Sequence, residues 1–311
     1  MIAAGESVVT VGTFDGVHLG HRAVLEETAQ HAARLRRSSV VVTFEPHPLE
    51  VLNPAAAPAR LTTPVERVEA IASSPVERML VLGFNRSMAA ESPEDFVDTV
   101  LLARCGMRGL VIGHDHGFGR GRSGDVATLR QLGAARGFSV DVVEPVVVDG
   151  TPVSSTAIRA AVARGDLGRA ASLLGRRYAV AGEVLRGERR GRSIGFPTIN
   201  LGVPPRKLLP PDAVYAVIVE TPLGRFGGMM NQGRRPTFDA TRRLLEINLF
   251  GFSGDLYHRW VRVEWVAHMR EIRRFDGVAA LRRQLEDDRL LAMALLADAR
   301  VDLDAPVTAP E

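Results

Sequence analysis

Residues 8–21 read VVTVGTFDGVHLGH. Val8–Val11 is β-branched throughout and predicts a short strand; glycines at 12 and 16 predict a turn, and a helical pattern starts at Leu19. A strand feeding a helix N-terminus gathers unpaired backbone N–H groups at the positive end of the helix dipole, a setting that holds phosphate. His18 and His21 stand three residues apart there, on one side of the opening turn. Gly20 between them removes a side chain where a phosphate would be crowded. Imidazoles so placed can donate to a phosphoryl group as its charge shifts in the transition state. Either histidine alone reads as an ordinary helix-start residue, but that leaves Gly12, Gly16, Gly20 and Asp15 gathered in one turn unexplained. No cysteine or third histidine stands nearby at zinc spacing, so the pair does not read as a metal site.

Further strands are predicted at Val40–Phe44, Met79–Leu82, Leu110–Ile112 and Val140–Val143, with helices from Leu19, Pro64, Pro93 and Asp125. This alternation predicts a doubly wound parallel sheet, an α/β fold whose ligands gather at the carboxyl ends of the strands. Three more segments bear on that edge. TFEPHPLEV (43–51) places Pro46 and Pro48 in a stiff loop, either a wall for a flat ligand or simply a rigid connection. GHDHGFGRGRSGD (113–125) joins five glycines to Arg120 and Arg122. Such a loop lets backbone and guanidinium groups approach phosphate, or is a solvated basic loop; its place after a sheet strand favours the ligand. SSTAIR (154–159) sets three hydroxyls and Arg159 at a helix start. An N-cap accounts for one hydroxyl, and a phosphate clamp for all of them.

Two short helices are expected at Ser155–Arg164 and Asp166–Leu174, and after Gly175 the texture changes. Tyr178–Leu185, Ala213–Glu220, Arg225–Asn231, Leu244–Phe250 and Trp260–Ala267 read as short strands parted by Gly and Pro clusters, as in a small antiparallel β-barrel. A helix from Gly277 to Ala299 follows. In residues 182–201, GEVLRGERRGRSIGFPTINL, a glycine-rich loop precedes Thr198 and Asn200. Two apart on an extended strand, these point to one face and offer two neutral oxygens, which with phosphates and waters suit Mg²⁺. A strand start with a proline-set entry explains the same residues. Glu246 interrupts the apolar run Leu245, Ile247, Leu249. It reads as a general base or as the polar side of a half-exposed strand.

A chain of 311 residues predicts two domains, taken as 1–176 and 177–303, with 304–311 a loose tail. Composition is globular, 46% hydrophobic and 24% charged, with no apolar run of membrane-spanning length and no signal-peptide pattern at the N-terminus. The single cysteine, Cys105, allows no internal disulfide and fits a cytoplasmic protein; its apolar surroundings suggest packing. Lys207 is the only lysine, which excludes a Walker-type phosphate loop and a Schiff-base lysine elsewhere. The formal charge of +3 is too slight to argue for nucleic acid, and aromatics do not interleave with the arginines. Small-molecule substrates are expected, with no nucleic acid, no membrane, and a monomer or weak homo-oligomer.

GTFDGVHLGH, TFEPHP, GHDHGFGRGRSGD and SSTAIR, in this order and spacing, resemble the adenylyltransferase half of bacterial bifunctional riboflavin kinase/FMN adenylyltransferase (FAD synthetase). The resemblance implies that His18 and His21 stabilise the α-phosphate transition state of ATP, with Gly12, Phe14, Asp15 and Gly20 in the same nucleotide turn. It implies that Ser154, Ser155, Thr156 and Arg159 hold the outgoing β,γ-phosphates. Pro46, Pro48, Asp115, Phe118 and Arg120 would then face the flavin. Thr13 stands where many members have Asn, and His116-Gly117 interrupts a segment that is commonly Asp-Phe-Arg-Phe.

The second half resembles the riboflavin kinase domain through GRSIGFPTINL, the DAVYAV strand, GRRPTF, Glu246, DLY (255–257) and MREIRRFDGVAAL (269–281). By that resemblance Gly187, Gly191, Arg192 and Gly195 belong to the ATP loop, and Thr198 and Asn200 bind Mg–ATP. Glu246 would activate the ribityl 5′-hydroxyl of riboflavin. Arg270 and Phe275 lie in the segment that the family folds over the flavin. Ile199, Ala213, Gln232 and Asn248 depart from the common Ala, Gly, Ile and His. The implied chemistry uses Mg²⁺ and ATP and passes from riboflavin through FMN to FAD.

Overall fold

The structure is a computed structural model that describes residues 5–114, 117, 119, 124–187, 190–234, 243–299 and 303. Asp115, Phe118, Arg120, Arg122 and the 304–311 tail lie outside the described residues. The chain divides into two compact units, Met1–Ala157 and Ile158–Glu311.

In the first unit, the wholly buried β1 (Ser7–Val11) feeds α1 (Leu19–Leu35). Next come β2 (Ser38–Glu45), α2 (Pro48–Leu52), α3 (Pro64–Ala72) and β3 (Arg78–Gly83). Thr63 and Glu66 form a capping box around Pro64, which explains why α3 begins where it does. α4 (Arg86–Ala90) and α5 (Pro93–Phe96) follow, and α5 runs on into a wider π-helical stretch, Val97–Leu102. β4 (Met107–Gly113), α6 (Val126–Arg136) with Asp125 as N-cap, and β5 (Ser139–Val143) complete the sheet. Its order is β3-β2-β1-β4-β5, and the pairings are parallel.

The chain winds outward from β1 on one side and restarts at β4 on the other. The strand order therefore reverses between β1 and β4, the switch point at whose carboxyl edge ligands of such sheets gather. Cys105 is buried in the core against β4 and the π-helical stretch, which agrees with a packing role. β6 (Val147–Val148) and β7 (Thr151–Pro152) form a tight hairpin absent from the sequence reading. Its turn, Asp149-Gly150, has both residues at positive φ (48° and 73°), as such a hairpin requires. α7 (Ser155–Ala163) contains the division between the units.

In the second unit, α8 (Leu167–Leu174) is capped by Asp166 as expected. The strands are β8 (Ala179–Leu185), β9 (Ile199–Leu201), β10 (Ala213–Thr221), β11 (Gly224–Arg234), β12 (Arg243–Leu249) and β13 (Trp260–Arg270), with the short α9 (Arg190–Ser193) before β9. They close into a barrel in the order β10-β11-β12-β9-β8-β13. Closure leaves no sheet edge. It requires the three-residue β9, which bridges β8 and β12 and is too short to read as a strand from alternation alone. α10 (Val278–Asp298) packs Ala292 beside Phe196, Ala216 and Met229. A Cβ on Gly227 would lie 2.7 Å from Leu296 Cδ1, so that glycine admits the helix.

Candidate active sites

At the exit of β1, Phe14 (φ 49°), Gly16 (88°) and Val17 (40°) adopt left-handed backbone. For a β-branched residue this is costly, and such strain persists only where surrounding bonds over-determine it. Here those bonds come from Asp15, which is 4% exposed. Its carboxylate accepts from Leu61 N (3.0 and 3.1 Å), Thr62 N (3.0 Å) and Thr62 Oγ1 (3.2 Å). Gly16 N donates to Thr62 Oγ1 at 2.9 Å. These bonds make Asp15 the residue that shapes the turn.

His18 caps α1 from a 6% exposed position, its Nδ1 accepting from His21 N at 3.2 Å. With Nδ1 as acceptor, the neutral ring carries its proton on Nε2, a tautomer assigned from that bond. The two imidazoles stack with centroids 3.6 Å apart and planes inclined 16°, and Phe14 meets His21 edge-on at 5.1 Å. A Cβ on Gly20 would fall 3.2 Å from His18 Cε1 and Nδ1 and 3.7 Å from Val153 O. That glycine therefore makes room first for the His18 ring.

Ser154 Oγ accepts from Ala157 N at 3.2 Å, the ordinary capping bond. Ser155 does something else: its hydroxyl donates to Asp15 O at 2.9 Å and ties this segment to the histidine turn. Thr156 is exposed, and Arg159 follows one helical turn later in α7, beyond the division between the units.

At the end of β2 the Glu45–Pro46 peptide is cis. Pro48 opens α2, capped by His47 Nδ1 accepting from Leu49 N at 3.2 Å, so the expected stiff loop is partly helical. Beside it lies an ion network that sequence reading missed. Arg60 forks onto Glu50 (2.7 and 2.5 Å) and Glu45 (3.0 and 2.9 Å), while Arg67 reaches Glu45 at 2.9 Å. The Glu50 bond holds the Arg60 pKa above its ordinary value against burial. Burial pushes Arg67 down, opposed by the charge of Glu45. Residues 15 and 22 positions apart in sequence give no periodic signal of such a contact.

In the barrel, Asn200 is 7% exposed and pairs in register with Glu246 of β12 on one side and Leu185 of β8 on the other. A Cβ on Gly187 would sit 2.0 Å from Asn200 Nδ2. Only glycine fits there. Gly191 is equally confined, its added Cβ falling 2.2 Å from Phe196 O and 3.6 Å from Thr198 Oγ1. Phe196 N closes the loop onto Gly191 O at 2.9 Å, while Arg192 and Gly195 are exposed. Buried Asn248 donates to Pro197 O at 2.7 Å and fixes the approach to β9.

Thr198 is exposed and precedes β9, whereas the expectation placed it on the strand with Asn200. The short strand starts only where pairing with β12 starts, at Ile199. Asn200 Oδ1 is buried with no hydrogen-bond partner among the described residues. An orphaned neutral oxygen is costly unless a ligand completes it. Neutral oxygens such as those of Asn200 and Thr198, two positions apart, are the kind a hard divalent cation shared with phosphate takes.

Arg270 forks onto the 2% exposed Asp288 of α10 (2.8 and 2.6 Å), and Gln284 Nε2 donates to the same carboxylate at 2.7 Å. The Phe275 ring lies 5.8 Å from the Arg270 guanidinium and 5.1 Å from that of Arg273. The structure thus ties Arg270 to the helix and leaves the Phe275 ring in the segment after β13.

A histidine-bearing turn at the edge of a parallel sheet, and a glycine-fronted amide–carboxylate corner in a closed barrel, define a two-unit phosphate-handling chain. Residues 2–157 match the family model described as FAD synthetase, and residues 174–296 the one described as riboflavin kinase. The chain is 39% identical over 291 residues to the bifunctional riboflavin kinase/FMN adenylyltransferase of Pseudomonas fluorescens, covering 93% of each. It is 35% identical to that of Bacillus subtilis, covering 95% of this chain and 94% of the other. A crystal structure from Streptococcus pneumoniae titled a macrolide-efflux protein matches with a TM-score of 0.83 at 32% identity, over 94% of this chain and 95% of that one. Among the described residues, no helix of this chain is long and apolar enough to cross a membrane. The chain belongs to the bifunctional riboflavin kinase/FMN adenylyltransferase family.

Proposed function

We propose that the two activities of this enzyme run at two separate sites, one in each half. The chain phosphorylates riboflavin with ATP to FMN and adenylylates FMN with a second ATP, giving FAD and pyrophosphate. One observation carries the division: a polar constellation forms at the sheet edge, and another of different chemistry at the β8–β9–β12 corner of the barrel. We take 1–176 and 177–303 as the working domains and 304–311 as a tail.

At the sheet edge, the N–H groups at the start of α1 and the Nε2–H of His18 meet the α-phosphate of ATP. Their donors stabilise negative charge growing on its oxygens as the FMN phosphate attacks. His21, stacked on His18, holds that ring in place and adds a second donor. Ser154, Ser155, Thr156 and Arg159 receive the departing pyrophosphate, with Gly12, Phe14 and Gly20 lining the turn that Asp15 shapes. Pro46 and Pro48 form the flavin side, and Asp115, Phe118 and Arg120 are assigned to flavin binding with them.

In the barrel, Gly187, Gly191, Arg192 and Gly195 cradle ATP, and Glu246 takes the proton of the ribityl 5′-hydroxyl as it attacks the γ-phosphorus. Mg²⁺ held by Thr198 and Asn200 would neutralise phosphate charge there. Phe275 covers the isoalloxazine, with Arg270 anchoring its segment through Asp288. The enzyme acts on small molecules alone, in the cytoplasm, as a monomer or weak homo-oligomer, without nucleic acid or membrane.

Purified protein incubated with riboflavin, ATP and Mg²⁺ should yield FMN and then FAD, resolved by chromatography. A chain that stops at FMN, or that uses only supplied FMN, has lost one half of this reading.

Gly187→Ala drives a methyl group into Asn200 and tests the kinase corner directly. Displacing a reacting group by about 1 Å can cost about 10²-fold in rate. Riboflavin phosphorylation is therefore expected to fall by that order while FAD formation from FMN stays within twofold of wild type. Undiminished phosphorylation would remove Asn200 from the site.

A further inference from the structure

Arg67 plays no part in either reaction as derived, yet it is 4% exposed and held from three directions. One terminal nitrogen donates to Thr13 O at 3.2 Å, inside the histidine turn. The other donates to Phe44 O and to Glu45 Oε2, both at 2.9 Å, beside the cis Glu45–Pro46 peptide. Glu45 in turn binds Arg60, which grips Glu50 on α2. One guanidinium thus joins the backbone leaving β1 to the backbone leaving β2.

A partly buried ion network of this kind is a poor device for stability alone. Desolvating two guanidinium groups offsets much of their attraction to the carboxylates, and apolar packing of the same volume often serves as well. Arg67 Nε is also buried without a partner among the described residues, so the arrangement does not satisfy the arginine's own donors. What a planar fork does, and an apolar side chain does not, is hold two carbonyls at a fixed separation.

We propose that Arg67 is a positioning residue for adenylyl transfer. It sets the distance between the turn that holds the α-phosphate and the proline wall that holds the FMN, and Glu45 aligns it for that task. This rests on the assignment of those two walls given above. Attack of the FMN phosphate oxygen on the α-phosphorus needs the two reactants in near-contact and in line. A shift of one wall against the other therefore slows the step without abolishing either binding interaction.

The test uses the full chain and measures both reactions in the same preparation, with riboflavin phosphorylation as the internal control for intact protein. Arg67→Gln should lower kcat for FAD formation about 10- to 100-fold while KM for ATP and for FMN changes less than about threefold. Arg67→Lys keeps the charge but loses the fork, and should recover part of that loss. A purely structural role predicts the opposite split: a lower melting temperature and a smaller active fraction, with kcat per folded molecule unchanged.

Should Arg67→Gln fail to fold, Glu45→Gln decides, since it loosens Arg67 but leaves its carbonyl bonds available. A several-fold fall in kcat at constant KM is expected from it. Unchanged kcat in the folded variants, with His21→Ala inactive, overturns the proposal. FAD formation that survives His21→Ala would instead overturn the site assignment on which it rests.

Discussion

Replacing His21 with alanine should lower FAD formation from FMN by about 10²- to 10³-fold, the usual cost of losing one transition-state donor. The backbone amide of residue 21 remains, so the bond to His18 Nδ1 that caps α1 remains too. What is lost is the imidazole stacked 3.6 Å from His18 and the edge contact with Phe14. Riboflavin phosphorylation by the same variant should stay within twofold of wild type. Pyrophosphate release from FMN and ATP, followed beside FMN formation from riboflavin, separates the two effects. Equal loss of both reactions in a folded protein would end the two-site division.

Glu246→Gln should give the mirror image. Glutamine keeps the shape of the side chain and the register of β12 with Asn200 and Asn231, but it takes up no proton. General-base removal typically costs about 10²- to 10⁴-fold, so FMN formation should fall by that order. FAD formation from supplied FMN should be unaltered. The two variants mixed together should restore FAD formation from riboflavin, because FMN leaving one molecule can serve the other. A loss of FMN formation below threefold would place the proton acceptor elsewhere.

Both variants target residues that short stretches of sequence already single out. The β-branched run Val8–Val11, the glycine turn and the helix from Leu19 appear within about one residue of where the sequence puts them. The helix starts read at Pro64 and Asp125 also hold, the second as an N-cap. These features depend on neighbours in the chain, and periodicity reports neighbours well. Cys105 was readable in the same way, from the apolar residues beside it.

Other parts of the sites have no local signature. β9 is a strand only because β8 and β12 flank it, and its three residues are too few for alternation to register. Asn248 looks like a polar-face residue in LLEINLF, yet it is buried and holds Pro197 O from 51 positions away. Arg270 reads as a ligand arginine, while the fold pairs it with Asp288 on α10.

The sequence by itself determined that a strand–turn–helix with paired histidines opens one half and that a small barrel makes the other. Only the tertiary structure decided which side chains hold others in place. Asp15 binds backbone amides, Gly20 clears space for a ring, and Arg67 ties two strand exits together. The reason is physical. Local propensity acts over a few residues, whereas a buried charge takes its meaning from partners that only the folded chain brings within hydrogen-bond distance.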